Sequence, residues 1–234
     1  MPLMTRIISA GGNARLARRE RLPVDPTRSI AVKRDVHEFV VATDPERFAA
    51  GFREVMTDPE GTFGLIRVKR PAERLGREFQ AGERFQGCYS LGAALIGRRP
   101  GRARRALAWL LGTAPLRWLI GRIEDAMLSD YAIIDELVLE PGPGETRRLR
   151  YSYLEGTPIR GSSTFTIAPE GANACRVTQI FEYQEQNQSF ANFFSNKGLK
   201  LHNQVVYSQV SQSVALAGGH IIVSDIPAAY RETP

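Results

Sequence analysis

The chain has 234 residues, 43% of them hydrophobic, and 31 Lys and Arg against 25 Asp and Glu give a formal net charge of +6. This length and composition fit one domain with a substantial core, or two small ones, and argue against a fibrous or repeat protein. Nearly all the cations are arginine, which a GC-rich bacterial genome would explain, and a modest basic excess favours anionic partners only weakly.

Residues 1–28 are rich in arginine and poor in apolar periodicity, and Pro23 and Pro26 interrupt any helix. They predict a flexible basic arm, either a solvated tail or a contact for nucleic acid or lipid. The first residues lack the apolar run of a signal peptide, so we expect a cytoplasmic protein. Cys88 and Cys175 have no zinc or redox spacing and are interpreted as packing residues in a reducing compartment.

The first strand is predicted at residues 29–41, where Ile30, Val32 and Val36 alternate with polar residues. Asp44 followed by Pro45 is typical of a helix start, and this helix should end near residue 58. Its predicted buried stripe consists of Phe48, Phe52, Val55 and Met56. Residues 63–69 and 85–91 predict two further strands, joined by a polar loop.

Residues 92–127 break the strand rhythm and predict an insertion of two short helices flanked by arginines. Neither apolar run approaches the roughly 20 residues that cross a bilayer. Trp109 and Trp118, placed beside arginines, are typical of an interfacial element. Three roles stay open for residues 98–122: a lid, a peripheral membrane contact, or simple packing at one end of the core.

Four strands are predicted at residues 131–139, 147–154, 162–167 and 175–183, separated by turns rich in Gly and Pro. They form an antiparallel meander. A long amphipathic helix follows at residues 188–217, because apolar residues recur there at steps of three and four. Its apolar stripe consists of Phe190, Phe193, Phe194, Leu201, Val205, Val206, Val210 and Val214. A sheet is the expected partner for this stripe.

The order of these elements and the local sequences of the last meander resemble a known superfamily. These sequences are YLEGTPI (153–159), RGSSTFTIAP (160–169) and CRVTQIFEY (175–183). Over residues 29–217 the chain resembles the polyketide cyclase/dehydrase and lipid-transport branch of the START-like (SRPBCC), helix-grip superfamily, although the helical insertion departs from the compact family pattern. The resemblance implies an α+β helix-grip fold, in which a curved antiparallel sheet wraps around the long C-terminal helix and leaves an apolar cavity. Residues 218–234 would form a tail.

Alternation along the strands predicts which side chains face that helix. Leu149, Ile167 and Val177 should face inward, whereas Arg148, Arg150 and Arg176 should face water. An apolar wall with sparse polar groups is typical of a small-molecule site. The predicted ligand-binding residues are Tyr151, Tyr153, Ser163, Phe165, Gln179, Phe181, Tyr183, Leu201 and Val205. The alternative is a filled core in which the polar tips satisfy one another.

The three histidines lie in separate elements, which predicts neither a metal site nor a histidine-based triad, and no cofactor is expected. Asp130, Asp135 and Glu136 would supply an acid or base if they faced the cavity. His202 and Asp135 are the catalytic candidates. We therefore predict a carrier or sensor of a hydrophobic molecule (lipid, quinone or polyketide-like), or alternatively a polyketide cyclase or dehydratase. Nucleic acid is disfavoured because basic strand residues are not interleaved with exposed aromatics.

Overall fold

The computed structural model describes residues 16–57, 66–74, 77–89, 129–140, 146–193 and 198–231. The strands are β1 (Lys33–Val41), β2 (Ile66–Lys69), β3 (Arg84–Tyr89), β4 (Ser129–Val138), β5 (Arg147–Tyr153), β6 (Ile159–Pro169), β7 (Cys175–Glu185) and β8 (Ile221–Ser224). The α-helices are α1 (Pro45–Thr57), α2 (Gln188–Phe193), α3 (Leu199–Leu216) and α4 (Ala228–Arg231). A short 3-10 helix occupies Ala72–Arg74.

The described strands form one curved antiparallel sheet in the order β2-β3-β4-β5-β6-β7-β1-β8. Strands β3 to β7 follow chain order, so the predicted meander is confirmed. β1 lies on the far side of β7, where Phe39 is opposite Val177. This pairing brings the first strand of the fold beside the last strand of the meander.

Helix α1 begins where the sequence predicts. The Asp44 carboxylate accepts hydrogen bonds from the backbone N–H groups of Glu46 (3.0 Å) and Arg47 (2.9 Å) and so caps the first turn. The helix packs against α3 at Gly51, where a Cβ atom would overlap with the Ser213 carbonyl oxygen. A glycine is therefore needed for the two helices to approach this closely.

The main core lies between the sheet and the two helices. It joins Phe48 and Phe52 of α1, Val206 and Val210 of α3, and Phe165 of the sheet. Burial alternates strictly along β6 from Ile159 to Ile167 and along β7 from Cys175 to Phe181. The predicted inward and outward faces of these two strands are therefore confirmed.

The inner face of strand β1 is more polar than the alternation of its apolar residues suggests. Phe39 and Val41 are fully buried, and the same parity carries Asp35 and His37 to the inner face. Val32 and Val36, which helped to predict the strand, are 38% and 41% exposed. The two large core side chains near the end of β1 thus set its orientation, and the valines face outward.

The predicted C-terminal helix is described as α2 and α3, with Gly198 immediately before α3 and residues 194–197 outside the described part of the chain. Helix α3 buries Val205, Val206, Val210 and Val214 of the predicted stripe. It also buries four polar side chains, those of His202, Asn203, Ser208 and Ser213. The long C-terminal helix is confirmed, with a more polar buried face than expected.

Described residues on both sides of the predicted domain, 29–217, also contact the sheet. In the predicted arm, the Leu22 N–H donates to the Tyr153 carbonyl (2.9 Å), and the Leu22 carbonyl accepts from the Gly161 N–H (2.7 Å). Leu16 packs with Ile133 and Leu154. In the predicted tail, β8 pairs with β1. The boundaries at 28 and 217 stay predictions, but Leu16, Leu22 and β8 pack on the sheet or hydrogen-bond to it.

The predicted helical insertion at residues 92–127, with Trp109 and Trp118, lies outside the described residues. Of the strand predicted at 63–69, the described part is β2. None of the helices in the described ranges is long and apolar enough to cross a membrane.

Candidate ligand cavity

A cavity lies between the sheet and helices α1 and α3; water-sized molecules have about 70 Å³ of space inside it, and the space free of atoms is about 740 Å³ when its open mouth is counted. Its apolar wall includes Val55, Met56, Phe85, Phe165, Val205 and Val206. Its polar side chains are Asp130, Tyr151, Tyr153, His202 and Gln209. A smaller pocket of about 330 Å³, lined in part by Arg53, Glu78 and Phe79, contains none of the predicted ligand-binding residues. The cavity beside α3 is therefore the candidate site.

The structure places four of the predicted ligand-binding residues on the cavity wall, together with the catalytic candidate His202. The four are Tyr151, Tyr153, Phe165 and Val205. By contrast, Ser163, Gln179, Phe181 and Tyr183 are buried in the core, and Leu201 is half-buried. The Gln179 Nε2 donates a hydrogen bond to the Ser163 Oγ at 2.8 Å. This buried pair fits the alternative of polar tips that satisfy one another only in part, since the Gln179 Oε1 has no hydrogen-bond partner among the described residues.

Aromatic rings connect the cavity wall to that core. The ring centroids of Phe85 and Tyr151 are 5.9 Å apart, those of Tyr151 and Tyr153 5.8 Å, and those of Tyr153 and Phe181 6.1 Å. All three contacts are edge-to-face, the arrangement that aromatic pairs prefer over a face-to-face sandwich. The rings therefore hold one another in fixed orientations along one side of the cavity.

His202 of α3 stacks on Phe181, with ring centroids 4.3 Å apart and ring planes 24° from parallel. Burial, assisted by the nearby His37, lowers the pKa of His202 to about 3. The imidazole is therefore neutral at physiological pH. Its Nε2 atom is buried and has no hydrogen-bond partner among the residues that the structure describes. His202 thus places a neutral, partly unsatisfied ring on the cavity wall.

Behind His202 lies a polar cluster that the sequence patterns do not predict. The ring centroid of His37 lies 6.1 Å from that of His202. Burial raises the pKa of Asp35, against the opposing effects of His37 and of a hydrogen bond from Tyr183. Burial and the Asp35 carboxylate raise the pKa of Tyr183. Asp35 and His37 belong to β1, and counting alternate residues back from Phe39 would have placed both on the inner face.

A buried carboxylate closes this cluster. The Glu185 side chain is fully buried, and its Oε1 lies 2.5 Å from the Lys33 Nζ. The first residue of β1 and the last residue of β7 are thus joined by a salt bridge. The cluster consists of Lys33, Asp35, His37, Tyr183 and Glu185.

The predicted acidic candidates lie on different faces of β4. Asp130 lines the cavity, and its carboxylate contributes to the raised pKa of Tyr151, for which burial is the main cause. The Asp135 carboxylate accepts hydrogen bonds from the Arg21 Nε (3.0 Å) and from the Ser152 hydroxyl. Alternation from Ala132 and Ile134, which face inward, places Asp135 on the outer face beside the arm, and the β-bulge between Ile134 and Glu136 puts Glu136, opposite Arg150, on that face as well. The structure therefore does not bring Asp135 and His202 together.

Within the described ranges, no group of three or more His, Cys, Asp or Glu side chains has an arrangement that could hold a metal ion. The described side chains offer the cavity a neutral imidazole, a carboxyl group, two phenols and an amide.

No family model and no curated protein matches the sequence. Solved structures are similar in fold. The Zhui aromatase/cyclase from Streptomyces sp. R1128 is 8% identical, with a TM-score of 0.50 over 80% of this chain and 94% of that one. Norcoclaurine synthase from Thalictrum flavum is 12% identical, with a TM-score of 0.47 over 84% and 97% of the two chains. A hypothetical protein from Helicobacter pylori is 11% identical, with a TM-score of 0.48 over 82% and 90%.

At 8% identity, the likeness to the aromatase/cyclase concerns the fold and carries no activity to this chain. It agrees with the architecture described above, in which a curved antiparallel sheet packs around a long C-terminal helix. By this architecture, the chain has the helix-grip fold of the START-like superfamily that its sequence resembles.

Proposed function

We propose that this protein binds a hydrophobic small molecule, of the lipid, quinone or polyketide-like class, in the cavity between the sheet and α3. The observation that supports this proposal most directly is the cavity itself, with its apolar wall and few polar groups. Burial of apolar ligand surface would supply the affinity, at about 25 cal/mol per Å² before the cost of association. The protein would act as a carrier or sensor of that molecule.

A cavity-filling substitution tests this proposal. Ala132 lines the cavity and is 1% exposed, so Ala132→Phe would place a ring in the ligand space. Val36→Phe adds a ring of similar size on the exposed face of β1 and serves as the matched control. The probe is N-phenyl-1-naphthylamine, an uncharged dye that becomes fluorescent in apolar surroundings.

We expect saturable binding of one dye per chain, at least tenfold weaker in Ala132→Phe and unchanged in Val36→Phe. An absence of saturable binding by the parent protein, or equal binding by parent and Ala132→Phe, would overturn the proposal. Native mass spectrometry with organic extraction of the purified protein would then identify the chemical class of any natural ligand that is retained.

A proton-transfer enzyme, such as a polyketide cyclase or dehydratase, is the second candidate. It is favoured by one observation: the neutral imidazole of His202 and the carboxyl group of Asp130 line the same cavity. The Asp130 carboxylate would accept a proton from a substrate, while the neutral imidazole, a weak base at a pKa of about 3, and the cavity tyrosines would orient an enol. Turnover of a poly-keto substrate should then fall in His202→Gln and in Asp130→Asn. It should persist in Asp135→Asn, since Asp135 lies on the outer face. Equal loss in all three variants would count against this assignment.

Peripheral membrane contact through residues 98–122 remains a prediction, because these residues lie outside the described part of the chain. Its test is sedimentation with anionic liposomes, which replacement of Trp109 and Trp118 by Ala should abolish. If the parent protein does not sediment, membrane contact is ruled out and a lid or a packing role remains.

A further inference from the structure

We infer that residues 16–30, here named the strap, position the cavity wall from outside the sheet, and that Gln184 is the positioning residue that fastens the strap. This inference rests on the proposed binding function and deepens it, because it assigns part of the control of affinity to residues outside the cavity. The strap crosses the outer face of the sheet, with contacts on β4, β5, β6 and β7.

The strap contacts the outward-facing neighbours of two cavity residues. Ala132 and Tyr153 line the cavity from inside the sheet. On the outer face, Leu16 packs against Ile133 and Leu154, the residues that follow these two in the chain. The same short pieces of backbone therefore carry the cavity wall on one side and the strap on the other. A displacement of the strap would change the packing behind Ala132 and Tyr153.

The strap also supplies backbone hydrogen bonds where β5 and β6 cease to pair. Ser152 and Ser162 are the last residues of the two strands that lie opposite each other at this end. Beyond them, the Leu22 N–H donates to the Tyr153 carbonyl (2.9 Å), and the Leu22 carbonyl accepts from the Gly161 N–H (2.7 Å). Release of the strap would leave both groups without these partners, so the end of the wall that carries Tyr153 would lose its support.

Gln184 joins the strap to β7. Alternation with the inward-facing Phe181 and Tyr183 places Gln184 on the outer face, yet its side chain is fully buried. Its Oε1 accepts a hydrogen bond from the Asp25 N–H (3.0 Å), and its Nε2 donates to the carbonyls of Asp25 (2.9 Å) and Ile30 (2.5 Å). One amide side chain thus satisfies three backbone groups of the strap.

The charged contacts of the strap are weaker attachments. The Arg21 Nε lies 3.0 Å from the Asp135 carboxylate, but the Arg21 side chain is 56% exposed. The Asp25 carboxylate lies 3.6 Å from the Arg160 guanidinium. Ion pairs in contact with water contribute little to stability. The attachment of the strap therefore depends mainly on backbone hydrogen bonds and on Gln184.

Positioning can be measured from both sides, because linkage makes the coupling reciprocal. If an attached strap strengthens ligand binding by a given factor, a bound ligand favours the attached strap by the same factor. Hydrogen exchange of strap amides reports how often the strap opens. Since the strap lies on the outer face, a ligand inside the cavity does not cover these amides. Protection of the strap by the ligand would therefore report coupling through the sheet.

Hydrogen exchange of the parent protein, followed by NMR with and without saturating N-phenyl-1-naphthylamine, tests this coupling. The N–H groups of Leu22 and Asp25 should exchange about fivefold more slowly, or slower still, when the dye is bound. The Asp225 N–H, which donates to the Glu38 carbonyl beside the edge strand β8, is the control and should change less than twofold.

Unchanged exchange of the strap, or equal slowing of the strap and the control, would overturn the inference and leave the proposed function intact. If the parent protein does not bind the dye saturably, the proposed function fails and this inference fails with it.

A substitution tests the role of Gln184. Gln184→Leu keeps a side chain of similar size and removes the amide. Strap amides should exchange about fivefold faster in this variant, and the dye should bind about fivefold more weakly. Gln188→Leu makes the same change at an exposed position of α2 and should alter neither value.

Faster exchange of the strap with unchanged dye affinity would show attachment without positioning and would overturn the inference. Unchanged exchange would overturn the assignment to Gln184. If Gln184→Leu does not fold, the exchange rates of the parent with and without dye still decide whether the strap and the cavity are coupled.

Discussion

The neutral state of His202 predicts a specific loss of stability in acid. The pKa of His202 is about 3 in the folded protein, whereas the ordinary histidine pKa of 6.5 applies to the unfolded chain. Between these values the unfolded chain binds a proton that the folded protein does not, so the free energy of unfolding falls as the pH decreases from 6.5 towards 3. Above pH 6.5 both states are neutral and the contribution is constant.

The expected loss is substantial. Between pH 7 and pH 4.5, linkage gives a decrease of about 2–3 kcal/mol from this group alone. Because the folded protein hardly titrates in this interval, the result changes little as long as the folded pKa stays below about 4. Asp35 acts in the opposite direction, because folding raises its pKa. Its contribution to the free energy of unfolding is fully present below pH 3.8 and is lost as the pH rises through the pKa that Asp35 has in the folded protein. The contribution of His202 must therefore be isolated by comparison.

The assay is urea unfolding of the parent and of His202→Gln at pH 7 and at pH 4.5. The parent should lose about 2–3 kcal/mol more than the variant over this interval, since the groups shared by the two proteins largely cancel. NMR of the histidine side chains provides an independent measurement, in which His202 should remain neutral at pH 4.5. Equal losses in the two proteins, or titration of His202 near pH 6.5, would refute the reasoning.

Three further predictions concern stability and reactivity. In urea titrations, Glu83→Gln should lower the free energy of unfolding by about 3–5 kcal/mol. The substitution leaves the buried Arg70 guanidinium, which lies 2.6 Å from the Glu83 carboxylate, without its counter-charge. A loss below about 1 kcal/mol would contradict this prediction. Gly161→Ala should destabilise more than Gly171→Ala, which should cost about 1–2 kcal/mol. Both have positive φ, but a Cβ atom at Gly161 would overlap with a carbonyl oxygen of β7, whereas nothing lies within 4 Å at Gly171; the reverse order in thermal unfolding would be inconsistent. Burial raises the pKa of Cys175 to about 12, so a thiol reagent at pH 8 should label it no faster than the protein unfolds, and rapid labelling of the native protein would disprove this.

The sequence predicts the order of elements well because the turns and the periodicity are local signals. Phe165, Val177 and Phe181 are buried as strand alternation requires, and Asp44 caps α1 as expected. The helix-grip fold follows from this order together with the resemblance to a known superfamily. Positions on the wall, such as Tyr151 and Tyr153, also follow from alternation once the sheet is given.

In the polar part of the site, two local patterns disagree about β1, and other features depend on contacts between segments distant in sequence. Asp35 and His37 face inward because Phe39 fixes the orientation of β1, while the neighbouring valines suggest the opposite face. Asp135 has the outward parity of β4 and is held on that face by Arg21, more than 100 residues earlier in the chain. The depressed pKa of His202 requires its burial between elements and the proximity of His37.

Two serines on the buried polar face of α3 allow a hydrogen-bonded hydroxyl to be compared with one that has no partner. Ser208 and Ser213 are both fully buried in the same helix. The Ser213 hydroxyl donates to the Gln209 carbonyl at 2.7 Å, whereas the Ser208 hydroxyl has no hydrogen-bond partner in the described ranges. A buried polar group without a partner destabilises the fold, and alanine has the highest helix propensity.

Ser208→Ala should therefore raise the free energy of unfolding by about 1 kcal/mol, while Ser213→Ala should leave it unchanged or lower it by a similar amount. Urea titrations at pH 7 measure both variants under identical conditions. If Ser208→Ala destabilises the protein as much as Ser213→Ala does, the Ser208 hydroxyl has a partner in solution.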